Sequence, residues 1–172
     1  MKLVYSSRYS LDIGPHVFLT EKYRRIHKRL TAAAHPNLDG VIEPEAATWD
    51  QLALVHSEAY LHKVRTCTLS ADELVQLELP LTDGVVEGFR LMTGGTLTAA
   101  RRALVDGLCG HIGGGFHHAF ASHGEGFCLF NDVVVAARSL KVERIVSRIA
   151  VIDLDVHHGN GTALICGRDE SV

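Results

Sequence analysis

The chain has 172 residues, of which 47% are hydrophobic and 22% charged, and its formal net charge is −3. This length fits one domain, residues 1–172, with a buried core, and the composition excludes an intrinsically disordered chain. The slightly acidic balance argues against direct binding of nucleic acid, because non-specific affinity for phosphates comes from basic residues.

The sequence contains no pattern typical of secretion or of a membrane span. Residues 1–10 lack a cationic start followed by an apolar run, and no stretch of 18 uncharged apolar residues occurs. The four cysteines are widely spaced, include no C-x-x-C pair, and are typical of free thiols in a reducing compartment. We expect a protein of the cytoplasm, or of the nucleus in a eukaryote, with no membrane partner.

The first part of the chain predicts one strand followed by helices. The predicted elements are a strand at 2–6, a helix at 21–31, a loop at 35–44, a helix at 48–65 broken near His56 and Ser57, and a short helix capped by Ser70 and Glu73. Residues 83–105 then place apolar side chains on one helical face. Gly94 and Gly95 interrupt this helix, where each costs about 1 kcal/mol, so the pair predicts close packing against another element.

The second part of the chain predicts a crossover between parallel strands. Residues 108–112 form a short apolar run that ends at three glycines, which suits a buried strand feeding a loop. Asn131 and Asp132 offer caps for a helix through Leu140, and residues 149–156 have the clearest strand pattern. This order of elements is what a right-handed parallel crossover requires. The predicted fold class is therefore α/β, a parallel sheet flanked by helices, and we expect the sheet to be unfinished at residue 172.

Acidic and imidazole side chains share one face at the end of the 149–156 segment. Asp153, Asp155 and His157 alternate there with apolar residues, because strand side chains point to opposite faces. Buried carboxylates need a cation or hydrogen-bond donors, and ligands bind beyond the carboxyl ends of parallel strands. Asp oxygen and His nitrogen suit Zn²⁺, although a catalytic zinc takes three protein ligands and Asp155 and His157 are two. The alternative is that Asp153 caps a turn and His157 is a satisfied core histidine.

A second motif, H-I-G-G-G-F-H-H-A at 111–119, follows the strand at 108–112. Its glycines permit unusual backbone angles, so His117 and His118 can lie at the floor of a pocket. Histidine exchanges protons near neutrality, which suits both residues to acid–base catalysis. A phosphate-binding loop fits poorly, because no G-K-[ST] follows, and adjacent histidines on a surface loop are the other alternative.

A third stretch, G-E-G-F-C-L-F-N-D at 124–132, connects the histidine loop to the next helix. Phe127 follows a glycine, where it could line an apolar tunnel, although aromatic residues are most often part of the core. Cys128 could be a nucleophile, but a small buried thiol is the commoner condition.

These three motifs, in this order, resemble the histone deacetylase superfamily, whose members have an arginase-like α/β fold. The resemblance extends through the chain, including Y-S-S-R-Y at 5–9, P-L-T-D-G at 80–84 and T-G-G-T-L-T-A-A-R at 93–101. It is closer to bacterial and class IV-like members than to class I. It implies an N-terminal, incomplete part of a larger deacetylase-like domain.

The resemblance also implies roles for the motif residues. Asp155 and His157 match two zinc ligands, Asp153 matches the carboxylate that orients His117, and His118 matches the main general acid–base residue. The family's potassium site suggests contacts of Asp153 and Asp155 with K⁺.

Three further assignments concern the support of the acid–base histidine and the substrate channel. Asn160 occupies the position that supports His118, where class I members usually carry Asp, and a neutral amide implies a different pH optimum. Gly126 and Phe127 match the wall of the acyl-lysine channel. Glu78 aligns with a rim acid that grips the substrate backbone, although alone it would be interpreted as a solvated charge.

The implied reaction is zinc-dependent hydrolysis of an acyl-amide, which in this family most often means deacetylation of acetyl-lysine in proteins. One alternative is an amidohydrolase for acetylpolyamines or other small acylated amines, and another is a catalytically silent truncated interaction module. The family places a third zinc ligand and an oxyanion-stabilising tyrosine in its C-terminal half, so we expect residues 1–172 alone to be inactive. The sequence does not indicate an oligomeric state.

Overall fold

A short parallel sheet flanked by helices forms the centre of the chain, so the predicted α/β class is confirmed. The structure is a computed structural model that describes residues 1–33, 38–167, 169 and 171–172. The strands are β1 (Lys2–Val4), β2 (Val41–Ile42) and β3 (Cys109–His111), in the order β2-β1-β3. The helices are α1 (Glu21–Ala32), α2 (Trp49–Ala53), α3 (Glu58–Arg65), α4 (Ala71–Leu77), α5 (Asp83–Asp106), α6 (Asp132–Val142) and α7 (Asn160–Cys166), with a 3₁₀ turn at Ser7–Tyr9.

The central strand of the described sheet is β1, whose Leu3 pairs with Val41 on one side and Gly110 on the other. Two of the predicted strands, at 2–6 and 108–112, are confirmed with shorter bounds. The predicted loop at 35–44 is wrong at β2, which is too short to show an apolar alternation in the sequence. Residues 35–37 of that loop lie outside the described residues.

The helix boundaries follow their capping residues closely. Thr48 and Ser57 cap α2 and α3, so the predicted break near residue 56 is confirmed. Ser70 and Glu73 form the predicted capping box of α4, in which each side chain bonds the backbone N–H of the other residue. These local signals explain why the predicted helices agree with the structure.

The two glycines in the middle of α5 allow the close packing that the sequence predicts. A Cβ atom at Gly94 would collide with the backbone of Glu45, and one at Gly95 would collide with the side chains of Tyr9 and His111. Glycine lowers the helix propensity at both positions, but only a residue without a Cβ atom lets α5 pack this closely against the carboxyl end of the sheet.

The predicted strand at 149–156 is wrong in the described structure. Among the described residues this segment pairs with no strand, and its Ile152, Leu154 and Val156 are 82%, 91% and 92% exposed. An apolar cleft of about 680 Å³ separates this segment from α5 and α6. An alternating pattern indicates which residues suit a strand, but a strand also needs a neighbour to accept its hydrogen bonds. Asp153 and Asp155 are correspondingly exposed rather than buried.

The described helices include none that is both long and apolar enough to cross a membrane.

Candidate active site

The histidine pair lies on the glycine loop that follows β3. Gly113 and Gly115 have φ values of 146° and 91°, which favour glycine, and they turn the chain away from the strand. His117 is buried and His118 is half-buried, and their ring centroids lie 4.3 Å apart. The structure therefore brings the two predicted imidazoles together beyond the carboxyl end of a parallel strand, where ligands bind in such sheets.

A fully buried carboxylate anchors this loop. Asp132, the first residue of α6, accepts hydrogen bonds from the backbone N–H groups of Gly115 at 3.0 Å and Phe116 at 2.7 Å. It also accepts one from the hydroxyl of Thr96. Burial raises the pKa of Asp132, although these hydrogen bonds act in the opposite direction. The sequence predicts Asp132 only as a helix cap, but the side chain of Asn131 caps the helix and leaves Asp132 free to hold the loop.

A chain of hydrogen bonds supports Asp132 from the sheet. Thr96 donates to Asp132, so it accepts from Nδ1 of His111 at 3.0 Å, and Nε2 of His111 then accepts from the hydroxyl of Tyr9 at 2.8 Å. Burial lowers the pKa of His111 to about 4, so this ring is neutral and suits both roles. Sequence reasoning missed this network, because its members are spread from residue 9 to residue 132.

Asp153 lies where the resemblance implies, beside the first histidine of the pair. Its carboxylate contacts Nδ1 of His117 at 2.6 Å. Hydrogen bonds from the His117 ring and from the backbone N–H of Asp155 lower the pKa of Asp153. An ionised carboxylate at Nδ1 fixes the ring orientation and stabilises a positive charge on the imidazole.

Asn160 lies at the second histidine of the pair. Its side-chain oxygen contacts Nδ1 of His118 at 2.6 Å, and its side-chain NH₂ group donates to Glu125 at 2.7 Å. Each histidine of the pair is thus held through Nδ1 by a different partner. Sequence reasoning missed Glu125, because a lone glutamate between two glycines carries no recognisable signal.

The two candidate metal ligands lie next to each other and are exposed. The carboxylate of Asp155 contacts Nδ1 of His157 at 2.9 Å and accepts its backbone N–H at 2.8 Å. These contacts lower the pKa of Asp155, so it is an ionised oxygen donor. Within the described ranges no group of three or more His, Cys, Asp or Glu side chains could hold a metal ion. The donor types fit zinc, but the described residues supply fewer than the three protein ligands of a catalytic zinc site.

A cavity of about 440 Å³ opens onto both histidines of the pair. Its lining combines the imidazoles, the candidate metal ligands and four aromatic side chains of Phe and Tyr. These residues are Phe18, Lys22, Tyr23, Glu78, Gly114, Gly115, Phe116, His117, His118, Gly126, Phe127, Cys128, Asp155 and His157. All three predicted substrate-binding residues thus line the same cavity as the predicted acid–base pair, whereas the supporting Asp153 and Asn160 lie behind it.

Phe127 forms one aromatic wall of this cavity. It stacks on Phe18 with ring centroids 5.6 Å apart, and both Phe127 and Gly126 have a positive φ, as in the turns that favour glycine. Glu78 also has a positive φ where it ends α4, and its carbonyl contacts the ring of His16 at 2.8 Å. The tight turn at 126–127 therefore directs an aromatic side chain to the mouth of the cavity at the cost of backbone strain.

Two further residues line the cavity: Cys128, which the sequence suggested as a possible nucleophile, and Lys22, which the sequence did not suggest as a site residue. Burial raises the pKa of Cys128 to about 12, so it is a neutral thiol and not an activated nucleophile. Lys22 lies with its ammonium 4.4 Å from the ring centre of Phe18. The sequence shows this lysine only as part of the basic surface of an amphipathic helix, so sequence reasoning missed it.

This arrangement defines a class of protein, an α/β fold with a hydrogen-bonded imidazole pair beside an Asp–His pair at the carboxyl edge of a parallel sheet. Residues 16–172 match the family model described as the histone deacetylase domain. The chain belongs to the histone deacetylase family. Members of this family are hydrolases and are generally metal-dependent.

Curated relatives agree with this family. The chain is 37% identical over 177 residues to an uncharacterized protein of Picosynechococcus sp., covering 99% of this chain and 57% of the relative. It is 32% identical over 182 residues to Histone deacetylase 2 of Arabidopsis thaliana, covering 100% and 47%. It is 32% identical over 174 residues to a probable deacetylase of Methanothermobacter thermautotrophicus, covering 100% and 52%. The chain spans about half the length of the curated relatives it matches.

Proposed function

We propose that this chain carries the acid–base half of a zinc-dependent deacetylase site that hydrolyses acyl-amides. The observation that carries the proposal is that a side chain holds each ring of the histidine pair at its Nδ1 atom. Nδ1 of His117 is held by Asp153 and Nδ1 of His118 by Asn160, each at 2.6 Å. Among the described residues no hydrogen bond occupies Nε2 of either ring, so both Nε2 atoms are available for proton transfer.

The two histidines have different partners, and this difference favours different roles. The partner of His117 is a carboxylate, which can balance a positive charge on the ring, whereas the partner of His118 is an uncharged amide. A neutral His118 can remove a proton from the attacking water and later deliver it to the departing amine. The products are a carboxylate and a free amine.

Asp155 and His157 would hold the zinc ion through a carboxylate oxygen and an imidazole nitrogen. When bound, zinc polarises the acyl carbonyl and acidifies a water molecule. The relatives extend about twice as far as this chain, and we propose that the third protein ligand comes from that further length. K⁺ beside Asp153 and Asp155 is a further part of the proposal.

We propose acetyl-lysine in proteins as the substrate. Phe18 and Phe127 give the cavity an apolar surface against which an extended alkyl chain can pack, and Glu78 at the same cavity can accept hydrogen bonds from substrate backbone N–H groups. A protein substrate offers those backbone N–H groups, whereas an acetylated polyamine would offer an ammonium group to the same carboxylate.

The test compares an acetyl-lysine peptide with an acetylated polyamine as substrates. The enzyme is this chain extended to the length of its relatives, assayed with zinc and after chelation. Zinc-dependent release of acetate from the peptide is the expected result. Preference for the polyamine would reassign the substrate, and hydrolysis that survives removal of the metal would refute the zinc-dependent reaction.

A further inference from the structure

Glu125 lies in a tight turn that α4 holds in place. The turn closes on itself through hydrogen bonds between the backbones of Glu125 and Cys128, at 3.2 and 2.9 Å. The backbone N–H groups of Gly126 and Phe127 also donate to the carbonyls of Gln76 and Leu77 at 3.2 and 2.9 Å. The position of the Glu125 side chain is therefore fixed from both ends of the turn.

The carboxylate of Glu125 is connected to the histidine pair through one amide. Its Oε1 accepts from the NH₂ group of Asn160 at 2.7 Å, and the Asn160 oxygen contacts Nδ1 of His118 at 2.6 Å. Its Oε2 accepts from the amide of Gln76 at 3.1 Å and lies 3.8 Å from Nε2 of His123. Burial raises the pKa of Glu125, but these neighbours outweigh burial and leave the pKa below its ordinary value.

An ionised carboxylate can only accept hydrogen bonds. The NH₂ group of Asn160 must therefore face Glu125, and the carbonyl oxygen of the same amide must face His118. Because that oxygen only accepts, Nδ1 of His118 must carry the proton. Nε2 of His118 then has a free lone pair, which is the state a general base requires.

We propose that Glu125 is a positioning residue that fixes the amide of Asn160 and thereby holds His118 in its Nδ1–H tautomer. The catalytic consequence rests on the proposed deacetylase function, whereas the tautomer exists without it. Without the carboxylate, the amide can turn by 180° and donate to Nδ1, and the proton then moves to Nε2. A ring in that state cannot accept a proton from water.

The first test reads the tautomer directly. Histidine ¹⁵N NMR of the metal-free protein is compared between the wild type and Glu125→Gln. Gln can donate or accept, so we expect His118 to change from the Nδ1–H form to a mixture of both tautomers. Glu143→Gln is the matched control, because Glu143 also pairs with another side chain and is 34% exposed against 32% for Glu125, but its partner is Arg101 rather than Asn160. An unchanged Nδ1–H form in folded Glu125→Gln would overturn the proposal.

The second test moves the negative charge. Asn160→Asp places two carboxylates against each other, so we expect lost activity. The double variant Asn160→Asp/Glu125→Gln should recover at least about 10-fold, because it leaves one carboxylate in the pair and the oxygen of residue 160 can again accept from Nδ1 of His118. Glu125→Gln alone should lower kcat about 10-fold with an unchanged KM, since substrate binding is untouched. The absence of rescue would contradict the proposal, and rescue without a return of His118 to the Nδ1–H form would assign Glu125 a merely structural role.

The two tests separate this inference from the proposed function. A tautomer change in Glu125→Gln together with a wild type that hydrolyses no acyl-amide would support the positioning role of Glu125 and overturn the deacetylase function. Deacetylase activity that does not respond to Glu125→Gln would support the function and overturn the positioning role.

Discussion

Two histidines in the interior hydrogen-bond network, His56 and His111, should make the folded protein sensitive to mild acid. Burial lowers the pKa of His56 and of His111 to about 4, from the ordinary value of 6.5 for histidine. His56 must be neutral, because its Nδ1 faces the carbonyl of Phe120 at 3.0 Å and its Nε2 accepts from the backbone N–H of Asn131 at 3.1 Å. Protonation of Nε2 would remove that acceptor.

The sign and size of the effect follow from these values. Between about pH 6.5 and pH 4 the unfolded chain binds protons that the folded chain does not, so the free energy of unfolding falls as the pH falls. A shift of about 2.5 pH units corresponds to roughly 3 kcal/mol for each histidine, which together approach the whole stability of a typical domain. The raised pKa of Asp132 acts in the opposite direction, because the folded state binds its proton more readily. The lowered pKa values of Asp153 and Asp155 act below this window.

Urea unfolding followed by circular dichroism at several pH values between 7.5 and 4.5 measures this effect. His56→Gln should lose about half of the pH dependence, and His62→Gln, which removes an exposed histidine of α3, should keep it. An unfolding free energy that stays constant between pH 7 and pH 5 would refute the reasoning. Equal pH slopes in the wild type and His56→Gln would assign the effect to other groups.

Three further predictions concern the proposed enzyme. The first two use the chain extended to the length of its relatives, and the third compares that chain with residues 1–172. His118→Ala should lower turnover at least about 100-fold while zinc stays bound, because it removes proton transfer rather than a ligand; near-normal turnover of the zinc-loaded variant would reject this role. Asp155→Ala and His157→Ala should each release metal and activity together, and elemental analysis that finds full zinc in both would place the ligands elsewhere. Residues 1–172 alone should show little zinc-dependent activity and should self-associate through the exposed apolar segment at 149–156. Peptide hydrolysis and solution mass, each compared with the extended chain, test these two expectations. A monomer with one tight zinc and matching turnover would contradict this expectation.

The sequence predicts the helices well because their determinants are local. Thr48, Ser57 and Ser70 are N-cap residues that mark the starts of their helices, and apolar residues recur at helical spacing along the 24 residues of α5. The failure at 149–156 has the opposite cause. Its alternation describes the preference of one segment, whereas pairing depends on a neighbour elsewhere in the chain.

The candidate site divides in the same way. The motifs reveal the histidine pair and the Asp–His pair, because those residues are adjacent or alternate in the sequence. The motifs do not reveal Glu125, Lys22 or the hydrogen bonds of Asp132, because each of these acts through contacts with residues that are distant in the sequence. Glu125 reaches Asn160 over 35 positions, and no sequence pattern encodes that distance.

The hydrogen bond between Tyr9 and His111 joins residues 102 positions apart. Closing so long a loop is entropically unfavourable, so this contact forms only when helices between its ends have already folded and docked. Hydrogen bonds through Thr96 and Asp132 connect the loop that carries His117 to the same network. We therefore expect the histidine loop to take shape late in folding, so that partly folded forms of the chain contain the candidate acid–base side chains without their native arrangement.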